Sequence, residues 1–300
     1  MKDVRFSAYS LALAMALIVV GATYGAVLML RSFNFQDIFT NVKLSDPMKV
    51  FISLYLTAAV MGVGFAGTAL FMISKQRVRF AGWLGVLSAV SAIATVLVGP
   101  AYGVIIDPSS VAIISIGAAL CLLGGTLGLR TSSTQPAEPL LSTMQIANSA
   151  ALSALTAIMT GIAFVPSPTG GFTHIGDTVI LIASLLFGSK VGAVTGVIGS
   201  VAADMWVGYP RWFVSIPAHG LEGLIAGLGK GKSTSVQLGL CILGGIVMAS
   251  VYFYVNIFIK GWALAVMSYG RDLFLQAGIS IVLAVILTRT LQRVLPRVKA

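Results

Sequence analysis

The stretch VQLGLCILGGIVMASVYFYVNIFI, Val236 to Ile259, contains no charged residue. As a helix rising ~1.5 Å per residue it is roughly 36 Å long, enough to cross a hydrocarbon layer of ~30 Å. On either side of it the chain repeats the theme. Comparable apolar stretches run over Ala8–Leu30, Val50–Ser74, Phe80–Val98, Val111–Leu129, Ile146–Val165, Phe172–Gly188, Val191–Val207, Trp212–Gly229 and Leu273–Leu291. Irregular backbone cannot face lipid, so each is expected to be helical. The expected fold is all-α, a polytopic transmembrane protein of about ten helices.

Composition agrees. The 300 residues are 57% hydrophobic and only 9% charged, with a mean hydropathy of +0.98. Soluble domains carry roughly 25% charged residues, so two soluble domains of this size are excluded. The net charge of +10 does not indicate nucleic acid, because the basic residues stand singly or in small groups between apolar stretches. That is the pattern of topogenic charge at membrane edges. Cys121 and Cys241 lie inside apolar stretches, so neither a disulfide framework nor a zinc site is indicated. The first apolar stretch runs past the length of a signal core without a cleavage site and reads as a retained span.

Thr131 to Pro139 is the one polar, proline-rich linker of any length. It divides the chain into a four-helix transmembrane module (1–130), a linker (131–145) and a six-helix domain (146–300). With the N-terminus inside, thirteen of the 19 Lys and Arg fall on the inner side and six on the outer. By the positive-inside rule both termini are cytoplasmic.

Two spans are abnormal. The sixth has an apolar core of only Thr178–Ser189, roughly 18 Å long, and the eighth contains Pro217, which removes a backbone donor. Short or interrupted spans mark cavities in membrane proteins; a tilted helix and an ordinary kink are the plain alternative. Ala226 to Ser233 fits a permissive phosphate-loop pattern. It lacks the strand that such a loop requires, so it reads as a turn whose lysines set topology. Small residues recur at four-residue spacing, as Gly188, Gly192, Gly196 and Ser200 and again as Ala147, Ala150, Ala151 and Ala154. Such rows let helices approach closely. The alanine row is either internal packing or a docking surface for another membrane subunit.

Ionisable residues concentrate in the second half. A charge at mid-membrane costs at least ~2.5–3.5 kcal/mol, so it normally faces a cavity or a partner. Asp177, Asp204, His219 and Glu222 fall in spans, with His174 beside them, and Arg211 and Trp212 lie at the outer edge. Tyr252 and Asn256 on the ninth span and Gln276 on the tenth bring further polar and aromatic groups to the same side. The expectation is a small-molecule pocket open to the exterior. The structural alternative is ion pairs that lock helices, Asp204 with Arg211 or His219 with Glu222. Spacing supplies no third metal ligand, so no metal site is expected, and no cofactor is called for.

The six-helix half resembles the substrate-binding (S) component of energy-coupling factor (ECF) vitamin transporters, riboflavin-type branch. The resemblance rests on His174-Ile175-Gly176-Asp177, Leu186-Phe187-Gly188, Gly192, Gly196 and Gly199-Ser200. It continues through Ala203-Asp204, Gly208-Tyr209-Pro210 and Gly220-Leu221-Glu222-Gly223, over roughly 146–295. It implies a subunit of an ABC importer in a prokaryotic plasma membrane that captures a vitamin or precursor outside. Its implied partners are a transmembrane coupling subunit and two ABC ATPases, which alone would hydrolyse ATP. It implies that Pro166–Gly176 caps the site and that Ala147, Ala150, Ala151 and Ala154 dock on the coupling subunit. His219 stands where this branch commonly has Lys, and the four N-terminal helices are foreign to the six-helix unit.

The alternative is a stand-alone secondary transporter in which Asp177, Asp204 or Glu222 carries a coupling proton or ion. No catalytic constellation supports an enzyme. Aromatics beside carboxylates suit a cationic or heteroaromatic ligand, while Arg211 and Arg271 leave acids open.

Overall fold

The computed structural model describes residues 2–31, 46–74, 78–101, 106–130 and 141–294. The chain forms two compact units, Met1–Glu138 and Pro139–Ala300. Most of the expected linker, residues 131–140, lies outside the described residues.

In the first unit α1 (Lys2–Arg31), α2 (Asp46–Ser74), α3 (Val78–Ala101) and α4 (Pro108–Arg130) pack in a ring, each against the next and α4 against α1. Pro108 opens α4, where a missing N–H costs nothing. Asp107 Oδ2 caps the helix by accepting from the Ser109 and Ser110 N–H groups at 3.0 and 3.2 Å. Among the described residues, this unit buries no Asp, Glu, Lys, Arg or His.

The second unit begins with α5 (Thr143–Ile162). Ser142 and Gln145 form a reciprocal capping box, so the helix starts earlier than hydropathy alone suggests. A short hairpin follows, β1 (Val165–Pro166) paired antiparallel with β2 (Phe172–Thr173). This corrects the expected fifth and sixth spans, which ran to Val165 and from Phe172. α6 (Asp177–Phe187) is then only 11 residues long, so the polar stretch before it lies in a loop that covers the helix's start.

Next come α7 (Ser189–Trp206), α8 (Trp212–Gly227) and α9 (Thr234–Lys260). The rest is one run of helix, Trp262–Val294. It comprises α10 (Trp262–Arg271), a π-helical segment (Asp272–Ala277) and α11 (Gly278–Val294). The tenth expected span therefore starts eleven residues early, at Trp262, because Ser268, Tyr269 and Arg271 depress hydropathy without breaking the helix. Counting that run as one rod gives ten among the described residues. Six are long and apolar enough to cross a membrane; the α3 and α6 apolar segments are shorter. The protein is an all-α, multi-pass membrane protein.

α7 is central to the second unit, packing on α5, α6 and α8. A methyl group at Gly192 would lie 2.6 Å from the Gly223 carbonyl oxygen, and one at Gly196 would strike the His219 carbonyl. Gly199 instead faces Thr156 of α5. The glycine row is thus internal packing that brings α7 and α8 into backbone contact.

Candidate functional site

Close packing of α6, α7 and α8 sets polar side chains together at the end of the unit that carries the 163–176 loop. Asp177 opens α6 and is fully buried. Its Oδ2 accepts from Gln276 Nε2 at 2.9 Å, and its Oδ1 lies 3.2 Å from His219 Nδ1. The same nitrogen is 3.0 Å from Glu222 Oε2. One Nδ1 proton faces two buried carboxylates. Glu222 Oε1 is left without a hydrogen-bond donor and Asp177 Oδ1 has only a share in the His219 proton, so this base is rich in acceptors and short of donors.

His174, in the loop above, accepts the Gly176 N–H on Nδ1 at 3.2 Å. That nitrogen is therefore unprotonated, and the 3.9 Å approach of Asp177 Oδ1 to it is not an ion pair. Burial holds the imidazole down to about 4, against the pull of Asp177. His174, Asp177 and His219 do place three metal-capable atoms within 4.8 Å of one another, which spacing alone did not suggest. Both Nδ1 atoms are committed to the Gly176 N–H and to the carboxylates of Asp177 and Glu222.

A second cluster stands beside the first. Ser215 Oγ donates to Asp204 Oδ2 at 2.5 Å. Its only proton is thereby used, so the Tyr252 hydroxyl, 2.6 Å away, donates to Ser215. Between the clusters and the loop is a cleft lined by Phe172, His174, Asp204, Tyr209, Tyr252 and Asn256. Lys260, Arg271, Asp272, Gln276 and the backbone of Gly170 and Gly171 complete it. Phe172 meets His174 and Tyr209 at 5.5 Å between ring centroids, and His219 meets Tyr252 at 5.9 Å. The space within it is about 30 Å³, room for one or two waters.

Of the residues expected at a pocket, Asp204, Tyr252, Asn256 and Gln276 line the cleft. Asp177, His219 and Glu222 lie beneath it, joined to it through His174 and Gln276. Arg211 and Trp212 do not line it. Arg211 sits over the Tyr209 ring, 5.3 Å from its centroid, and Trp212 packs edge-on against Phe213. The expected Asp204–Arg211 lock is replaced by Asp204–Ser215, whereas His219–Glu222 does form. Phe172, Tyr209, Ser215 and Lys260 are additions. The first three lacked any charge at membrane depth, and Lys260 reads in sequence as a topogenic charge.

Ala147, Ala150, Ala151 and Ala154 are all exposed, on the side of α5 opposite its buried Ser149, Ser153, Thr156 and Thr160.

An all-helical membrane bundle with a lidded, polar and aromatic cleft at one end defines a membrane solute-binding protein. The chain belongs to the family of ECF-type riboflavin transporter S components, which its residues 140–294 match. It is similar to a thiamine precursor transporter, HmpT, of Lactococcus lactis subsp. cremoris (strain MG1363). The two are 29% identical over 149 residues, 46% of this chain and 86% of that one. An uncharacterized protein of Pyrococcus woesei is 35% identical over 113 residues, 36% of this chain and 76% of its own length. The family is one of transporter subunits, not enzymes.

Proposed function

We propose that this chain is the solute-capturing subunit of an ECF-type importer, taking a vitamin or vitamin precursor into the cleft between the 163–176 loop and α7–α10. The observation that carries this reading is the acceptor-rich base. Glu222 Oε1 is buried without a donor, and Asp177 Oδ1 shares the single His219 Nδ1 proton with Glu222 Oε2, beneath the aromatic walls of Phe172, Tyr209 and Tyr252. An unpaired buried polar group costs ~1–3 kcal/mol, and a heteroaromatic ring bearing N–H donors is the occupant that removes that cost. The relative named for a thiamine precursor supports a ligand of this kind. Asp177, Asp204, His219, Glu222, Tyr252, Asn256 and Gln276 form the binding site, and Arg211 and Trp212 flank its entrance.

The loop end of the domain faces the exterior, and both termini are in the cytoplasm of a prokaryotic cell. Residues 146–300 are the binding domain; residues 1–130 are a separate module without buried charge among its described residues. A coupling subunit meets the exposed Ala147, Ala150, Ala151 and Ala154 face, and two ABC ATPases drive release. Coexpression tests this reading. The tagged chain should copurify with a membrane subunit and two ATPases, and uptake should persist under a protonophore while ATP is maintained. Uptake that collapses with the protonophore at constant ATP contradicts it and favours an ion-coupled carrier.

A further inference from the structure

The lid is fastened by charge. Lys260 Nζ donates to the Gly170 carbonyl at 3.0 Å and to Ser268 Oγ at 3.3 Å. Arg271 NH1 reaches the same carbonyl at 3.4 Å and Thr169 Oγ1 at 3.3 Å. Ser268 Oγ in turn donates to Thr169 Oγ1 at 3.0 Å. Two cationic side chains therefore converge on one neutral oxygen.

Arg271 has a carboxylate of its own. Its Nε and NH2 grip Asp272 Oδ1 at 2.9 and 2.6 Å. Lys260 has none: among the described residues it bonds a carbonyl and a hydroxyl, and no carboxylate lies within 4 Å of its ammonium. It is partly buried and lines the cleft. A carbonyl dipole fills the geometry of an anion without its charge. The base of the site, meanwhile, gathers the carboxyl groups of Asp177, Glu222 and Asp204. The cleft has two unlike ends, carboxyl groups at the bottom and the Lys260 and Arg271 side chains at the lid, where Asp272 pairs with Arg271 alone.

We propose that Lys260 Nζ and Arg271 NH1, with the Thr169 and Ser268 hydroxyls, form an anion subsite for a phosphate monoester on the ligand. The ester occupies the place the Gly170 carbonyl now holds. The Lys260 and Arg271 N–H donors, with two hydroxyls that can turn toward the ligand, suit the three free oxygens of a phosphate monoester. Gly170 and Gly171, at φ 78° and 83°, carry no side chain that the ester would have to displace. The inference rests on the reading of the cleft as a vitamin site and names the ligand class more closely.

Paired probes test it on the full-length protein in nanodiscs. Thiamine is compared with thiamine monophosphate, and riboflavin with riboflavin 5′-phosphate, by calorimetry. For whichever pair binds, the ester should bind about ten- to a hundredfold tighter, the range of one or two charge-assisted hydrogen bonds. Lys260→Met should lower that ratio about tenfold, the loss of one charge-assisted hydrogen bond, and Lys260→Arg should keep it. The ratio is the readout because loosening the lid weakens both members of a pair alike. A ratio of one or less in the unaltered protein, or one that persists in Lys260→Met, overturns the subsite while leaving the cleft a vitamin site. If no member of either pair binds, the vitamin reading fails and the subsite fails with it.

Discussion

Gln276 donates from Nε2 to Asp177 Oδ2 at 2.9 Å, across 99 positions of sequence, and so ties the first turn of α6 to the π-helical segment that ends at Ala277. π-Helical turns occur mostly as local distortions at functional sites. Here the distortion brings Asp272 and Gln276 to the same cleft. The contact fixes the carboxylate that His219 also meets, so it orders the base of the site.

Gln276→Leu removes the donor and leaves Asp177 Oδ2 buried and bare. The expected cost is ~1–3 kcal/mol, read as a lower melting temperature in detergent. A melt unchanged from the native protein contradicts a structural role for the contact.

Glu222→Gln and Asn256→Ala should weaken ligand binding roughly five- to a hundredfold, at 1.4 kcal/mol per tenfold, while the protein still folds. If these residues only lock helices, affinity stays unaltered and thermal stability falls instead. Calorimetry and a melt on each variant separate the outcomes.

Gly196→Ala drives a methyl group into the His219 carbonyl. Overpacking of this kind costs ~1–3 kcal/mol, and it moves the backbone that carries His219. Both stability and affinity should drop. Gly239→Ala, where nothing lies within 4 Å of the added carbon, is the matched control and should change neither.

Acid should loosen the lid. His174 is held down to about 4 by burial, with Asp177 pulling the other way and His219 and Arg271 adding repulsion. The free side chain titrates near 6.5. Between those values the unfolded chain binds the extra proton, so stability rises with pH. The contribution is complete above about 6.5 and is lost as pH falls toward 4. A melt from pH 7 to pH 5 should show a decline that His174→Gln reduces; an identical decline in that variant contradicts the assignment.

Ala151→Trp and Ala154→Trp place bulk on an exposed helix face. They should abolish copurification with the coupling subunit without changing ligand affinity. Retained copurification contradicts docking at this face.

Much of this was legible in the sequence because membrane physics leaves few choices. Hydropathy located the helices, and charge at membrane depth located Asp177, Asp204, His219 and Glu222. It failed where structure departs from apolar periodicity. The Val165–Thr173 hairpin is too short to give an alternating pattern, and α10 is too polar to register as a span. Arg211 and Trp212 stand near Asp204 along the chain, but in the fold they contact the Tyr209 and Phe213 rings and do not line the cleft. Lys260 reads in sequence as a topology marker. Its second property, a positive charge bonded only to neutral oxygens, depends on the fold of the lid 90 residues earlier.

The central claim is that the cleft holds a vitamin-like solute. Native mass spectrometry tests it most directly, on the purified chain after incubation with a mixture of vitamins and their precursors. The account predicts one small heteroaromatic compound bound one to one, and its loss from Asn256→Ala and Glu222→Gln under the same conditions. A chain that carries no such compound, or variants that retain it at full occupancy, would contradict the account.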